Sequence, residues 1–353
     1  MKITRISYER IDLRLAVPYT IAYETVSEIS NFILKIETDT LLVGYGCAAP
    51  DVEVTGETPE MVEAAIRTTI IPFLKGASPL HYARILEELK KTCKDDSSVL
   101  AMVDMALLDL VAKKADLPLY QLLGGYRDSI ATSITIGIMP LEETLKQAKE
   151  FIAKGFSILK IKGGLVLEED IAKMVRLREL YPKLALRFDG NQGYSVKESI
   201  AFVNATAAVG IEIFEQPTRV KSGKKLGKVT HAVGVPVMAD ESLKTLADAF
   251  KLARKDRIDM VNIKLMKVGG ILEGMHINSV ARAAGLEAMI GCLDESSLGI
   301  SAGLHFALSR PNIHFADLDG HLDLVNDPIQ GIFRLEKGVL YPSQAPGLGL
   351  IDY

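Results

Sequence analysis

Tryptophan is absent from these 353 residues, and aromatic residues of all kinds make up only 6%. That scarcity excludes no function. Cysteine is scarce too: Cys47, Cys93 and Cys292 lie far apart, odd in number and without zinc spacing. Neither a disulfide scaffold nor a thiolate metal site is expected, so all three read as packing residues and a reducing cytoplasm fits best. No apolar run is long enough to span a bilayer. No cluster of Lys and Arg marks a membrane surface, and a net charge of −4 gives no basic field for nucleic acid. The start, Met1-Lys2-Ile3-Thr4-Arg5-Ile6, alternates like a strand and lacks the basic-then-apolar ramp of a secretion signal.

What is present is a globular balance, 48% hydrophobic and 24% charged. The length suffices for about two domains. The first part reads as strands followed by helices. Alternation over Lys2–Leu13, Asn31–Glu37 and Leu41–Cys47 predicts an antiparallel meander. Thr58-Pro59 looks like an N-cap with proline in the first helical position. Helical spacing recurs in Pro79–Lys91 and in Ser97–Lys114, whose broad apolar face predicts a buried helix. Pro118 and the Gly124-Gly125 pair then break the helical pattern.

After Gly125 short apolar strands alternate with amphipathic helices. The strands are Ile130–Ile136, Ser157–Ile161, Leu184–Phe188, Ile211–Phe214, Val235–Met238, Asp259–Ile263, Leu286–Ile290 and Ile313–Ala316. Strict alternation implies a parallel sheet, and this number of strands suggests closure into a barrel. The fold class expected is α/β: a modified TIM (β/α) barrel with an α+β capping domain. Residues 1–125 would form the cap and residues 126–320 the barrel. Residues 321–353, with a hairpin around Lys337-Gly338 in Ile332–Leu340, would return to the cap.

The charges sit where the strands end. Lys160 and Lys162 close one strand; Asp189, Glu215, Asp240 and Lys264 follow others. Successive steps from Lys162 to Lys264 are about 24 to 27 residues, one βα unit each. Barrel enzymes place their active sites on this rim. A single acid after a strand is often only a helix cap or loop charge. Three in consecutive strands, flanked by lysines, call for more. Carboxylates meeting in one cleft repel unless a cation sits among them, and hard oxygen donors suit Mg²⁺ or Mn²⁺. Lys160 and Lys162, two apart, share a face of the strand, so each should lower the other's pKa. Lys264, four strands further round, would approach from the opposite side. Two amines flanking a metal-held carboxylate could remove an α-proton from one face and return one to the other, with the metal stabilising the enediolate.

The set Lys160-Ile161-Lys162, Asp189-Gly190-Asn191, Glu215-Gln216-Pro217, Ala239-Asp240-Glu241-Ser242 and Asn262-Ile263-Lys264 resembles the enolase superfamily, muconate-lactonising subgroup. The stretch from Pro118 to Gly125 is similar to that family's junction between cap and barrel. The resemblance covers essentially the whole chain. It implies Asp189, Glu215 and Asp240 as metal ligands, Lys162 and Lys264 as the acid/base pair, Lys160 as an electrostatic helper and Asn191 as support to the metal. It also allows for homo-oligomers.

One barrel chemistry serves racemisation, cycloisomerisation and dehydration, so the site must decide. No His follows the seventh strand, where Gly291-Cys292-Leu293-Asp294-Glu295 stands, which disfavours subgroups with a His–Asp dyad. Asp294 becomes a candidate substrate contact. His305 and His314 read as packing or surface residues. The eighth strand ends Asp317-Leu318-Asp319, similar to the Asp-x-Asp feature with which dipeptide epimerases bind an α-amino group. A dipeptide substrate is therefore expected, with inversion at the C-terminal residue's α-carbon. Glu24 falls where Ala-Glu epimerases carry an arginine, so weak activity on Ala-Glu is expected. Tyr19, Ile21 and Tyr23 suggest an apolar or neutral side chain; Glu24, helped by Asp51 or Glu53, would favour a cationic one. Competing readings are a cycloisomerase, a succinylbenzoate synthase, an N-acyl amino acid racemase and a non-catalytic barrel scaffold.

Overall fold

The computed structural model describes residues 1–20, 25–220 and 223–353. Glu24, Ile21 and Tyr23 lie outside the described residues, as does the side chain of Tyr19. Three strands, β1 (Ile3–Thr20), β2 (Thr25–Thr38) and β3 (Val43–Ala48), form the expected antiparallel meander. Phe32, Leu34 and Ile36, spaced by two on one face of β2, are completely buried. Thr58 caps the helix Pro59–Ala65 by accepting the Met61 N–H at 3.3 Å.

The helix Ser97–Ala115 lies between cap and barrel, buried over most of its length. Its apolar side chains divide between two cores: Met102, Val103 and Ala106 join the cap, while Ala101, Met105 and Leu108 join the barrel. Two buried aspartates give it polar anchors. Asp104 accepts the N–H groups of Ile271 and Leu272, which open a barrel helix. Asp109 accepts the Tyr45 N–H of β3 and the Leu348 N–H of the tail. Asp116, in the left-handed region at φ 56°, ends the helix.

The barrel follows the expected order with one exception at its start. The segment Ile130–Ile136 divides into β4 (Ile130–Ala131) and β5 (Ile134–Ile136). Then come β6 (Ile158–Lys162), β7 (Ala185–Asp189), β8 (Ile213–Glu215), β9 (Val237–Ala239), β10 (Met260–Lys264), β11 (Glu287–Gly291) and β12 (Ile313–Asp317). Strands β5 to β12 make one eight-stranded sheet of sequential neighbours, each pair parallel. Between β4 and β5 the chain meets β12: Thr132 bridges Ala316, and the Ser133 N–H donates to the Ala316 carbonyl at 3.1 Å. That contact brings the barrel close to closure.

Past the barrel, β13 (Leu324–Val325) pairs with β1 of the capping sheet. The tail hairpin of β14 (Phe333–Glu336) and β15 (Val339–Pro342) pairs with β4, so it lies against the barrel rather than the capping sheet. The last residues do reach the cap: the Lys35 ammonium donates to the Tyr353 carbonyl at 2.8 Å. No helix among the described residues is long and apolar enough to cross a membrane.

Period-two alternation builds the barrel interior in layers. Ile213, Met238, Met260 and Met289 form a buried apolar floor with Phe315. Two residues further along each strand, the inward position carries Glu215, Asp240, Asn262, Gly291 and Asp317. The apolar floor thus sits directly beneath the polar rim.

The cap depends on a close approach of β3 to the central helix. A Cβ at Gly46 would stand 1.9 Å from the Met102 carbonyl oxygen. Gly46→Ala is expected to lower unfolding free energy by about 1–3 kcal/mol in urea titration. At Gly234, exposed and with nothing within 4 Å of such a Cβ, the same change should stay within about 0.5 kcal/mol.

Candidate active site

Parallel register puts the rim groups side by side. Lys162 stands opposite Asp189, and Asp189 opposite Glu215. On the other arc Lys264 pairs with Gly291, and Gly291 with Asp317. Gly291 leaves room for a neighbour, because a Cβ there would lie 2.5 Å from Asn262 Oδ1. Above the floor opens a cavity whose wall includes Lys160, Lys162, Asn191, Asp240 and Lys264. Asp294, Asp317 and Asp319 also line it, as does Asp51 from the cap, while Glu53 is exposed outside.

The acids are buried and their charges are met by lysines. Lys160 Nζ lies 3.1 Å from Asp189 Oδ2, 2.8 Å from Glu215 Oε2 and 3.0 Å from Asp317 Oδ2. Lys264 Nζ is 2.9 Å from Asp240 Oδ2, and Lys267 bonds the other oxygen of that carboxylate. The mutual lowering expected for the Lys160-Lys162 pair is overturned at Lys160. Burial alone would lower the pKa of Lys160, but Asp189, Asp317 and Glu215 together hold it well above the ordinary lysine value. Lys264 is likewise raised, with Asp240 outweighing burial and the repulsion of Lys160. The reason is distance: two unit charges 4 Å apart interact by about 4 kcal/mol at an effective dielectric of about 20, and here several carboxylates are closer than that. The complementary effect holds Asp240 well below the carboxylate range: burial opposes its charge, but Lys264 and Lys267 prevail. Glu215 is pushed up by burial and by repulsion from Asp189 and Asp240, against the pull of Lys160.

As the side chains stand, no three His, Cys, Asp or Glu groups among the described residues converge tightly enough to hold a metal ion. Lysines occupy the carboxylate oxygens that would do so. The donor set nonetheless suits a hard dication: Asp189, Glu215 and Asp240 offer buried oxygens from adjacent strands. Asn191, held by its N–H to Asp189 Oδ1 at 2.9 Å, keeps its side-chain oxygen buried and without a donor. A cation would give such an atom a partner.

Several residues with no role assigned from the sequence complete the site. Lys267 is fully buried against Asp240, and its only sequence signal is its place three residues after Lys264. Asn262 donates to Glu215 Oε1 at 2.7 Å. Gln216, strained at φ 28°, accepts the N–H groups of Asp240 and Ser242 and so ties the Glu215 loop to the next one. Asn31 of the cap donates to the Asp294 carbonyl at 3.0 Å and accepts the Ser296 N–H at 2.8 Å, fixing the loop after β11. Cys292 lines the cavity, its thiol 3.9 Å from Asp319 Oδ1, so it is more than packing. His305 accepts the Tyr120 N–H in the core, where burial drops its pKa to about 3.

The paired aspartates differ in how they are engaged. Asp317 is occupied on both oxygens, by Ser133 at 2.6 Å and Lys160 at 3.0 Å. Asp319 takes the Thr135 N–H at 2.6 Å on Oδ2, while Oδ1, among the described residues, meets the Cys292 thiol at 3.9 Å. Asp319 therefore has acceptor capacity to spare.

A parallel barrel with its charged groups at the carboxyl ends of the strands, roofed by an α+β cap, defines a capped (β/α) barrel enzyme. Residues 5–124 match the mandelate racemase / muconate lactonizing enzyme N-terminal domain, and residues 143–351 match the enolase C-terminal domain-like family. The chain belongs to this family of enolase-like barrels. It is 43% identical over 352 residues to an L-Lys-D/L-Arg epimerase of Desulforapulum autotrophicum, covering 99% of both chains. Among solved structures it is similar to a substrate-liganded L-Ala-D/L-Glu epimerase of Bacillus subtilis, with a TM-score of 0.97 at 38% identity and 99% coverage of both chains. A dipeptide epimerase of Methylococcus capsulatus, solved with Mg and L-Arg-D-Lys, superimposes with a TM-score of 0.95 at 39% identity, covering 100% of each chain.

Lys160 is the cation that several buried acids share. In metal-free buffer containing a chelator, Lys160→Met is expected to lower unfolding free energy by about 3–5 kcal/mol, because it strands buried charges. Urea titration measures this, and a loss below about 1 kcal/mol, the value of an exposed pair, would contradict it.

Proposed function

We propose that this chain is a magnesium-dependent dipeptide epimerase that inverts the α-carbon of the C-terminal residue. The observation that carries the reading is that Lys162 on β6 and Lys264 on β10 border one cavity from strands four places apart in an eight-stranded barrel. Such placement sets the two amines on opposite sides of whatever is bound between them. Asp189, Glu215 and Asp240 would hold Mg²⁺, with Asn191 in support. Bound there, the ion would supply positive charge to a substrate carboxylate and so acidify the neighbouring C–H.

The chain's own groups account for the rest. Lys160, among the acids at the base of the cavity, orients the substrate carboxylate through its ammonium. Asp319 accepts hydrogen bonds from the α-ammonium of the first residue. Epimerisation needs one lysine neutral and the other protonated. Lys264, ion-paired with Asp240, carries its proton and serves as donor, while Lys162 is the group that takes the α-proton. The electron pair left at carbon delocalises into the carboxylate, and Lys264 protonates the opposite face. The lysines end with their protonation exchanged, ready for the reverse reaction.

The acids in the cavity wall disfavour a substrate with an acidic side chain, which leaves neutral or basic ones. Free ammonium recognition by Asp319 separates this reading from the cycloisomerase and N-acyl racemase alternatives, whose substrates lack that group.

Proton exchange in D₂O tests the assignment. Lys162→Ala and Lys264→Ala should each lower epimerisation by about 10²–10⁴-fold. Each variant should still exchange the α-proton of one stereoisomer and not the other, as followed by NMR. Chelation should stop all exchange and added Mg²⁺ restore it. Exchange that survives chelator, or a single-lysine variant that still exchanges the α-proton of both stereoisomers, would rule the mechanism out.

A further inference from the structure

We infer that the site selects dipeptides whose first residue carries a basic side chain, recognised by Asp294 and Asp323. This rests on the dipeptide reading above and names the substrate class within it. Charge is the starting point. Seven carboxylate side chains line the cavity against three ammonium groups. With every group ionised, a divalent cation offsets only half of that excess. A dipeptide with neutral side chains is a zwitterion and offsets none of the remainder, whereas a Lys or Arg side chain does. Counting the buried groups behind the wall (Asp189, Glu215 and Lys267) enlarges the excess.

A second observation points the same way. Glu241 is 5% exposed and lines the cavity, yet its Oε2 meets no donor. Gln192 donates to its Oε1 at 3.3 Å, so among the described residues one oxygen of this buried carboxyl is left without a donor. Such an atom is costly to bury unless a ligand supplies a donor, which an ammonium or guanidinium group can do.

Position within the cavity assigns the basic group to the first residue. Asp319, the acceptor for the α-ammonium, is pushed up to about 7 by burial, then by Asp317, with Asp323 adding to the effect. Asp323, at the end of the short turn Gly320–Asp323, is pushed up to about 6 by burial and then by Asp294. All three acids line the same cavity, and Asp323 ends the turn that begins immediately after Asp319. The side chain attached beside that ammonium is the one that meets Asp323 and Asp294. Asp294 and Asp51 also border a second cleft, so open space continues beyond this acidic edge of the cavity.

The experiment compares α-proton exchange at the C-terminal alanine of L-Lys-L-Ala, L-Leu-L-Ala and L-Glu-L-Ala in D₂O with Mg²⁺. L-Ala-L-Lys serves as the positional control. The kcat/KM for L-Lys-L-Ala is expected to exceed that for L-Leu-L-Ala by at least about tenfold and that for L-Glu-L-Ala by more, since like charges repel. In Asp294→Asn and Asp323→Asn the basic-to-neutral ratio should fall several-fold. The same ratio in the unaltered chain should fall with rising salt, a readout that needs no variant. Equal use of L-Leu-L-Ala, preference for L-Ala-L-Lys, or a ratio unmoved by both substitutions and salt would overturn this inference while leaving the epimerase reading intact. Absence of exchange with every dipeptide would instead overturn the epimerase reading, and this inference with it.

Discussion

The constraint on which the rest of this structure depends is the crowding of like charge at the rim of the barrel. Asp189, Glu215, Asp240 and Asp317 are each nearly inaccessible to solvent. Buried carboxylates at this spacing either take up protons or find cations. Here they find Lys160, Lys264 and Lys267. The opposing groups reach one another only because period-two alternation turns the last inward position of successive strands toward one axis. The layer of Met238, Met260 and Met289 below excludes water from beneath them. A slip of one residue in any of these strands would exchange its rim charge for an outward-facing apolar side chain.

Among the described residues, the cap holds loops in place and lends Asp51 to the cavity wall. Its central helix is anchored by Asp104 to a barrel helix and by Asp109 to β3 and the tail, so cap and barrel share buried polar bonds as well as apolar cores. Asn31, on β2, grips the loop that carries Asp294. Asp51 folds its own loop by accepting the N–H groups of Glu53 and Val54, and Lys244 from the barrel bonds the Val54 carbonyl. The cavity wall therefore contains residues whose positions are determined jointly by both parts.

Much of this was legible in the sequence, for an identifiable reason. Strand-end charges recurring once per βα unit report their own convergence, because parallel register fixes where each strand ends. The buried helix Ser97–Ala115 was readable from an apolar face too broad for a surface helix. The parts that were not legible depend on contacts across the chain. Nothing around Asn31 announces a bond to residue 294, and Lys267 looks like any lysine in a helical turn. The rise in the Lys160 pKa is hidden in the sequence because Lys162, its neighbour on the same strand, is visible there, while the contact with Asp317 across the closure is not. Ile130–Ile136 divides because Thr132 and Ser133 are needed to meet β12, a requirement that appears only when the ends of the sheet are brought together.

The lysine contacts also bear on how the proposed chemistry is poised. The oxygens that bind Lys160 and Lys264 are those of the acids assigned to the ion, so lysine contact and ion contact compete for the same lone pairs. Lys264 keeps its proton while Asp240 faces it, because the carboxylate stabilises the ammonium. When Asp240 turns its charge elsewhere, that stabilisation weakens and burial, which disfavours the ammonium, gains weight. Lys264 then becomes a better proton donor to carbon. The same neutralising contacts that let the acids be buried in the absence of a ligand thus also set the protonation state from which the reaction begins.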